Sequence, residues 1–533
     1  MQQKVALAMF AILLISNIGA SAPANENVLH PNIVRAMDDA DANTQIEFIV
    51  QYRPELTNQH LQTAEGIGIE VVSIFEFIDG FFGKATASQI RDLSKQDDIF
   101  WIEHNSQMEY YMQDTTRVIN AVETWQTVII NEDKQVIADQ ANQHTYIDGT
   151  GVAAVIIDTG VDAGHPDFDY DEGKTVSYKF DRATRTWIEA ENSDTSSGHG
   201  THCAGTVGGN GDASAGAKKG VAPGATLVGM GVGDIAFIDN AVEAFQWVYD
   251  NSRPDANPLN IRVTSNSWGS SGSEYDPSNA VSQAVLNLQY DNNVVSVFAA
   301  GNSGGDGSDL QTNPYASIPL VIGVAALEHD GSGIAGFSSR GDMTKPQTWP
   351  DIGAPGVEIW ATAPRATLID IIQRPSDDDL YYMAISGTSM ATPHIAGVAT
   401  LLYQAAPSLG VADYLYEDHE TLEGEWYGDR IDTFVSEAEL IMELSGKYIQ
   451  GGQSNANGTV SKTGMTHDWG QGHGLIDTKY AIQMALTLES MRNADEDGDG
   501  MPDNEMVTVF DARDAMLGIS HVHKAKQFTD TLK

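Results

Sequence analysis

The sequence predicts an α/β fold, a mainly parallel sheet with helices on both faces, preceded by a small α+β domain of the ferredoxin-like type. Several short apolar runs, of which 151–157 is the first, are continuous rather than alternating, which is typical of parallel strands buried on both faces. Helical patterns separate these runs, and such alternation favours a parallel α/β sheet. The chain of 533 residues, 41% of them hydrophobic, is long enough for about three domains and is not disordered as a whole.

The front domain is expected over residues 45–108 and has a βαββαβ order. The expected strands are 46–52, 69–77, 81–85 and 99–103, and the expected helices are 56–67 and 87–96. This order suits a small sheet with two helices on one face. By itself it is also compatible with any ordinary small α+β domain.

The large domain is expected over residues 115–488. After the first run, strands are expected at 226–230, 261–265, 294–300 and 320–325, and helices at 199–208, 239–249, 277–290, 392–405 and 478–488. The acidic stretch 411–446 is interpreted as an insertion, and residues 489–533 as an acidic C-terminal tail. In parallel α/β sheets the functional groups lie at the carboxyl ends of the strands.

The N-terminus has the pattern of an export signal. Lys4 supplies a positive charge, residues 5–15 are apolar, and Ala20-Ser21-Ala22 offers a cleavage site between small residues. The apolar run is too short for a membrane span, and no other stretch reaches about 18 apolar residues. We expect a signal peptide at 1–22, a linker at 23–44 and a secreted product without stable membrane insertion. A buried N-terminal helix is the alternative.

The net charge of the chain is strongly negative. Its formal value is −45, from 74 acidic and 29 basic residues. Binding to nucleic acid requires basic surface that neutralises phosphates, and docking on anionic lipid requires basic residues as well, so the composition argues against both. Most of the charge is expected on a solvated surface, although carboxylate calcium sites can coexist with it.

Three short motifs each offer one member of an acid, base and nucleophile set. Asp158 ends the first apolar run, His199 begins a helix of small residues, and Ser389 precedes another predicted helix. A serine hydroxyl needs an imidazole to take its proton and a carboxylate to orient that imidazole. Within the same motifs, His202 is expected to be structural. Cys203, the single cysteine, is expected to be a buried thiol.

In the chain order Asp, His, Ser, these motifs resemble those of the subtilisin-like serine proteases, the subtilases of peptidase family S8. The resemblance covers about residues 115–488 and is most specific at 387–394. It implies that Asp158 is the orienting acid, His199 the general base and acid, and Ser389 the nucleophile.

Two further segments match the family and extend the site towards substrate. Residues 299–302 resemble the segment whose asparagine donates to the oxyanion, which makes Asn302 the fourth catalytic residue. Residues 267–269 resemble the edge strand that pairs with the substrate backbone and lines the S1 pocket. The expected substrate-binding residues are Ser267, Trp268, Gly269, Ala300 and Gly301. Taken alone, Asn302 is compatible with a turn residue and Trp268 with a core aromatic.

The front domain resembles the I9-type inhibitory propeptide of the same proteases in its size and in its place before the large domain. The resemblance implies an inactive precursor. Its propeptide, residues 45–108, would assist folding, occupy the cleft and be removed near residues 105–120.

A calcium loop is expected near the C-terminus, where acids stand at positions 1, 3, 5 and 9 and glycine at position 6. The expected ligands are Asp495, Asp497, Asp499, the Met501 carbonyl and Asp503. Position 12 holds Met506 instead of a bidentate glutamate. Compensation for this difference could come from Glu505 or from a shorter loop of the thrombospondin-repeat kind. The other alternative is that this stretch is a solvated acidic linker. Asp167 aligns with a family calcium ligand, and no spacing of His and Cys indicates zinc.

The sequence therefore predicts a secreted, calcium-stabilised serine endopeptidase made as an autoinhibited precursor. We expect a monomer without an organic cofactor, with peptides or proteins as substrates and its own propeptide as inhibitor. The alternative is a catalytically silent binding or adhesion module of the same fold, which would be expected to lack a triad member. An α/β-hydrolase esterase is disfavoured, because that fold has the order Ser, Asp, His and a Gly-x-Ser-x-Gly motif, whereas Ser389 is followed by Met-Ala.

Overall fold

The chain divides into two compact units, Met1–Tyr110 and Tyr111–Lys533. The computed structural model describes residues 28–29, 31–38, 40–53, 55–75, 78–105, 115–126, 146–234, 237–365, 381–413, 434–450, 458–461, 463–494 and 507–518. The signal peptide predicted at 1–22 lies outside these residues.

The first unit is built on a four-stranded antiparallel sheet. Its elements are α1 (Pro31–Asp38), β1 (Ile46–Tyr52), α2 (Asn58–Gly66), β2 (Glu70–Phe75), β3 (Gly80–Ala85), α3 (Ala87–Leu93) and β4 (Ile99–His104). The strand order is β2-β3-β1-β4. Every second residue of the central strand β1 is buried, because one face of the sheet packs on the core. The βαββαβ order predicted from the sequence is present.

Helix α1 contradicts the linker predicted at 23–44. Ile33 and Met37, four residues apart and therefore on one face of the helix, are buried in the core of the first unit. The helix has only eight residues, too few for a clear helical periodicity, so its apolar positions did not stand out in the sequence.

The second unit contains a large sheet and several short strand pairs. The strands of the large sheet are β5 (Ala153–Asp158), β6 (Thr175–Asp181), β7 (Thr186–Glu189), β8 (Thr226–Gly231), β9 (Ile261–Asn266), β10 (Val295–Ala299), β11 (Val321–Leu327) and β12 (Ile352–Pro355). Their order is β12-β11-β10-β9-β5-β8-β6-β7. All neighbours are parallel except β6 and β7. The short pairs join β13 (Ile359–Thr362) to β14 (Tyr382–Ile385), β15 (Val411–Asp413) to β16 (Phe434–Ser436), and β17 (Thr459–Val460) to β18 (Thr466–His467).

Helices cover both faces of the large sheet. They are α4 (Thr115–Val118), α5 (His199–Gly208), α6 (Ile238–Asn251), α7 (Ala280–Asn292), α8 (Thr388–Ala405), α9 (Glu437–Ser445), α10 (Thr478–Arg492) and α11 (Val509–Met516). On β5, Ala154 and Ile156 pack with α5, α8 and α10, whereas Val155 and Ile157 pack with α6 and α7. The predicted mainly parallel α/β fold is confirmed. No helix in the described part of the chain is long and apolar enough to cross a membrane.

Two C-terminal segments differ from the predictions. The acidic stretch 411–446 contains α9, whose nine residues are all buried, and its residues 414–433 lie outside the described ones. One carboxylate of α9, that of Glu437, pairs with Arg492 at 2.6 Å, which offsets the cost of burying its charge. The predicted tail 489–533 contains α11, and its Val509 is buried in the main core, so packing continues beyond residue 488.

The topology brings three segments to one edge of the sheet. Asp158 is the last residue of β5, and the chain leaves β9 after Asn266 and β10 after Ala299. Since these strands are parallel neighbours, the segments that follow their carboxyl ends lie together.

Candidate active site

The predicted acid and base are hydrogen-bonded to each other. The Nδ1–H of His199, the first residue of α5, donates to Asp158 Oδ1 at 2.7 Å. The same oxygen accepts the Thr159 N–H at 2.7 Å. The Asp158 side chain is 3% exposed and that of His199 is 25% exposed. The imidazole is therefore accessible from solvent while the carboxylate that orients it is buried.

Opposing effects set the pKa of His199. Burial lowers it, but the Asp158 carboxylate raises it, and the pKa lies well above its ordinary value of 6.5. Cys203 would add to this rise only as a thiolate. Burial raises the pKa of the Cys203 thiol above its ordinary 9.0, so the thiol is neutral near pH 7. Asp158 is therefore the main cause of the raised His199 pKa at neutral pH.

Two glycines allow the acid and base segments to approach each other closely. A Cβ atom on Gly200 would lie 2.1 Å from the Gly160 carbonyl oxygen and 3.1 Å from Asp158 Cβ. Gly160 has a φ of +124°, and a Cβ there would lie 2.2 Å from the Ser193 carbonyl oxygen. Glycine at position 200 is therefore a steric requirement of the Asp158–His199 contact, and glycine at position 160 is required for the close approach of Ser193.

Ser389 is the second residue of α8, and its backbone N–H has no acceptor among the described residues. Its hydroxyl donates to the Ser267 carbonyl at 3.1 Å, and the Ser267 hydroxyl donates back to the Ser389 carbonyl at 2.9 Å. In the described part of the chain, no hydrogen bond joins Ser389 to His199. Cys203 Sγ lies 3.9 Å from His199 Nδ1 and donates to the Ser389 carbonyl at 3.5 Å, so the three predicted residues lie at one site, with the hydroxyl turned towards Ser267.

Asn302 is held with its amide group pointing towards the start of α8. Its Oδ1 accepts the backbone N–H and the hydroxyl of Thr388, each at 2.9 Å. A Cβ atom on Gly387 would lie 3.5 Å from Asn302 Nδ2 and 3.6 Å from the Ser389 nitrogen. Two N–H donors therefore converge beside Gly387, an arrangement that suits an anionic oxygen.

The segment 267–269 lies next to Ser389, but its tryptophan ring belongs to the core. The Trp268 ring packs against Phe245, Phe298 and Tyr315, and its Nε1–H donates to the Ile157 carbonyl at 2.8 Å. This agrees with the alternative that the side chain is a core aromatic. Gly269 is exposed, so the backbone of this segment, rather than the Trp268 ring, is available to pair with an extended peptide.

Ala300 and Gly301 form backbone hydrogen bonds within the protein beside the site. Ala300 is fully buried, its N–H donates to Val324 and its carbonyl accepts from Asn313. The Gly301 N–H donates to the Thr388 hydroxyl at 3.2 Å. These contacts contradict the prediction that Ala300 binds substrate directly, and they leave the Gly301 N–H paired within the protein.

Sequence reasoning missed the groups that fix the catalytic side chains. Thr388 stands in the serine motif, but its bond to Asn302 joins positions 86 residues apart. Asp194 receives the N–H of Thr201 in the first turn of α5 at 3.1 Å. The N-cap of this helix is Gly198, and Asp194 lies four residues before it, so no local capping pattern pointed to Asp194.

Asp167 does not fit the predicted calcium ligand. It is fully buried, its Oδ1 accepts the Ala213 N–H at 2.9 Å, and its Oδ2 accepts the Tyr382 hydroxyl at 2.7 Å. Protein donors therefore occupy both oxygens. The predicted loop of Asp495, Asp497, Asp499, Met501 and Asp503 lies outside the described residues.

A different group of carboxylates has the chemistry of a calcium site. One oxygen from each of Asp351, Glu439 and Glu443 lies within 4.8 Å of the others, and all three residues line a cavity of about 500 Å³. Oxygens that bind one calcium ion at about 2.3–2.6 Å are at most about 5 Å apart. Glu439 is 6% exposed, and its Oε2 has no hydrogen-bond partner among the described residues. Burial, together with the neighbouring carboxylates, raises the pKa of Asp351 and of Glu439. A bound cation would balance these charges.

The chain is similar to proteins of one known family. The model of the subtilase family, peptidase S8, matches residues 149–422, just over half of the chain. Serine protease AprX of Bacillus subtilis (strain 168) is 33% identical over 306 residues, which cover 53% of this chain and 66% of that protein. Fervidolysin of Fervidobacterium pennivorans is 31% identical over 275 residues, which cover 49% of this chain and 36% of that protein. The chain thus spans about two thirds and about one third of these two relatives.

Among solved structures, the S41 psychrophilic protease is 27% identical with a TM-score of 0.45, and the match covers 62% of this chain and 92% of that one.

Proposed function

Because the chain belongs to the subtilase family, we propose that it is a secreted serine endopeptidase that cleaves peptide bonds through an acyl-enzyme. One observation carries the catalytic part of this proposal. The hydrogen-bonded pair of Asp158 and His199 lies beside the helix start that presents Ser389, where the Asn302 amide and the Ser389 N–H converge.

In the proposed reaction, Ser389 attacks the peptide carbonyl while His199 Nε2 takes the hydroxyl proton. The hydroxyl first leaves the Ser267 carbonyl, to which it donates at 3.1 Å, by rotation of the side chain. Asp158 keeps the proton of His199 on Nδ1, so that Nε2 is free to act as the base. His199 then protonates the leaving amine, and water resolves the acyl-enzyme by the same route.

The negative charge of the tetrahedral intermediate is proposed to rest between two fixed donors. Asn302 Nδ2 and the Ser389 N–H flank one position at 3.5 and 3.6 Å, measured from the point that a Cβ on Gly387 would occupy. Thr388 holds the Asn302 amide before substrate arrives, so little reorganisation is needed during the reaction.

We propose that residues 45–108 act as an intramolecular inhibitor and folding aid, removed after export. Support comes from the export pattern at 1–22, from the position of this segment before the large domain, and from its likeness to I9-type propeptides. The first unit has a core of its own, which includes Phe48 and Phe81, so it has the means to fold as a separate body.

Calcium is proposed to stabilise the enzyme at Asp351, Glu439 and Glu443. The ion would supply positive charge to three carboxylates that the fold places close together and largely away from solvent. Asp351 directly precedes β12, and Glu439 and Glu443 lie on α9, so their repulsion without the ion would act between the start of β12 and α9.

The full-length chain tests the proposal when it is expressed with calcium and compared with Ser389→Ala. The wild type is expected to hydrolyse casein and to release its front segment, as measured by mass spectrometry. Ser389→Ala should do neither while keeping its circular dichroism spectrum. Ser332→Ala makes the same change at an exposed serine outside the catalytic motifs. It is the matched control and should behave as the wild type. A folded wild type that hydrolyses no peptide would leave the silent binding module as the better description.

A further inference from the structure

The carboxylate of Asp194 accepts hydrogen bonds from both catalytic segments. Its Oδ1 accepts the Thr159 hydroxyl at 2.7 Å and the Thr195 N–H at 2.7 Å. Its Oδ2 accepts the Thr201 N–H at 3.1 Å and also the Thr201 hydroxyl. Thr159 directly follows Asp158, and Thr201 lies in the first turn of the helix that begins at His199. One side chain thus binds to the chain on both sides of the acid–base pair.

A second link closes the same network. The Thr159 hydroxyl, which donates to Asp194, accepts the Gly200 N–H at 2.9 Å. The residue after the acid is thereby joined to the residue after the base. The Thr201 hydroxyl in turn accepts the Asp162 N–H at 2.9 Å, which ties the same helix start to the chain beyond β5.

We propose that Asp194 is a positioning residue that fixes the Asp158–His199 pair in its catalytic geometry, an inference that rests on the proposed protease function. Asp194 acts through Thr159 and Thr201 and bonds to neither the imidazole nor the Asp158 carboxylate. Catalytic groups must be held to within a fraction of an ångström, so losing such support reduces the rate rather than substrate binding.

The charge of Asp194 is retained at a cost in stability. Burial raises its pKa from 3.8 to about 6, although the hydroxyls of Thr201 and Thr159 lower it. A carboxyl group whose pKa is raised on folding contributes stability below the unfolded pKa. That contribution is lost as the pH rises through about 6. At pH 8 the ionised group therefore opposes folding, which favours a role in function over a role in stability.

Asparagine cannot replace this carboxylate in either amide orientation. Each oxygen of Asp194 accepts one backbone N–H, that of Thr195 or that of Thr201, and a backbone N–H cannot reverse its direction. The NH2 group of an asparagine would face one of these donors whichever way the amide is turned. We expect Asp194→Asn to keep the shape of the site and to lose the hydrogen bond to one of these two backbone groups.

The test compares three variants, Asp194→Asn, Thr159→Val and Thr159→Ser. Each is expressed as the full-length chain and assayed after it has processed itself. Asp194→Asn and Thr159→Val are expected to lower kcat about 10- to 100-fold and to change KM less than about twofold. Thr159→Ser keeps the hydroxyl and should restore most of kcat. Thr487→Val, which removes a hydroxyl from the surface of α10, is the control and should leave both constants unchanged.

A second readout does not depend on activity. In a Ser389→Ala background, the pKa of His199 is followed by NMR with and without Thr159→Val. A loosened Asp158–His199 bond leaves burial as the stronger effect, so the pKa of His199 should fall in Thr159→Val and stay in place in Thr159→Ser.

The outcomes separate this inference from the proposed function. If Thr159→Val keeps kcat within twofold and leaves the His199 pKa unchanged, the positioning role is overturned. If Asp194→Asn fails to fold, the comparison of Thr159→Val with Thr159→Ser still tests the positioning role. A wild type without protease activity would overturn the proposed function, while the NMR titration would still report whether the network holds the acid–base pair.

Discussion

The Asn302 side chain is fixed by Thr388 through two hydrogen bonds of 2.9 Å, one from the backbone N–H and one from the hydroxyl. Both end on Oδ1, so the donor group of the amide faces away from Thr388 and lies near the Ser389 nitrogen. A threonine within the serine motif therefore orients the residue proposed to stabilise the oxyanion.

Removing the Thr388 hydroxyl should weaken catalysis without abolishing it. Losing a complete oxyanion donor typically costs about 10²–10³ in kcat. In Thr388→Val the backbone N–H still holds Asn302, so we expect a decrease in kcat of about tenfold, measured on a peptide substrate. Thr388→Ser keeps the hydroxyl and should stay within about twofold of the wild type. Equal losses in both variants would contradict the role of the hydroxyl.

The raised pKa of His199 predicts where activity is lost in acid. The base must be neutral, so kcat/KM should fall as the pH decreases through the raised pKa, with a midpoint above 6.5. The same raised pKa contributes stability that is present below pH 6.5 and lost as the pH rises through the folded value. A pH profile of kcat/KM on an uncharged peptide measures the midpoint.

The Cys203→Ala variant is the control for this profile. Its thiol lies 3.9 Å from His199 Nδ1 but is neutral near pH 7, so the acid midpoint should stay in place. A midpoint at or below 6.5 in the wild type would show that burial outweighs Asp158. A large shift in Cys203→Ala would show that the thiol carries charge.

The sequence was most informative where a functional residue and its supporting elements are close along the chain. Asp158 ends a continuous apolar run and His199 begins a helix of small residues, so both the elements and the residues were predicted from local patterns. The contact of Asn302 with Thr388 joins two distant segments, and only the packing of β10 against α8 brings them together.

Burial was predicted less well where acidic residues are packed in the core. Helix α9 lies in the stretch interpreted as an acidic insertion, and acidic residues are rarely fully buried unless they are paired. The structure supplies such a partner to Glu437 in Arg492, which follows 55 residues later. Pairings of this kind depend on tertiary structure and leave no periodic pattern in the sequence.

Calcium is expected to raise the melting temperature through the carboxylates of Asp351, Glu439 and Glu443. In the wild type, adding calcium after treatment with a chelator should increase Tm, because an ion that binds the folded state stabilises it. Glu439→Gln should reduce this increase, and Glu189→Gln, at an exposed glutamate of β7, should not. Calorimetry with and without calcium measures the shifts. An identical calcium-dependent increase in Glu439→Gln would place the ion elsewhere.

Gly200→Ala is expected to damage the site severely, although it adds only one methyl group. The added Cβ would lie 2.1 Å from the Gly160 carbonyl oxygen, and neither backbone segment can turn aside as a flexible side chain would. Relief of the clash must separate α5 from the turn after β5, which lengthens the bond between His199 and Asp158. A displacement of about 1 Å can cost about 10²-fold in rate, so kcat should fall at least that far.

Overpacking of this kind also destabilises by about 1–3 kcal/mol or more, so Tm should fall by several degrees. Gly410→Ala is the matched control, because a Cβ there meets no atom within 4 Å and the residue does not have the positive φ that penalises alanine. It should leave Tm and kcat close to those of the wild type. If Gly200→Ala kept full activity, the close approach of the two segments would be incidental to catalysis, since the rate would then tolerate their separation.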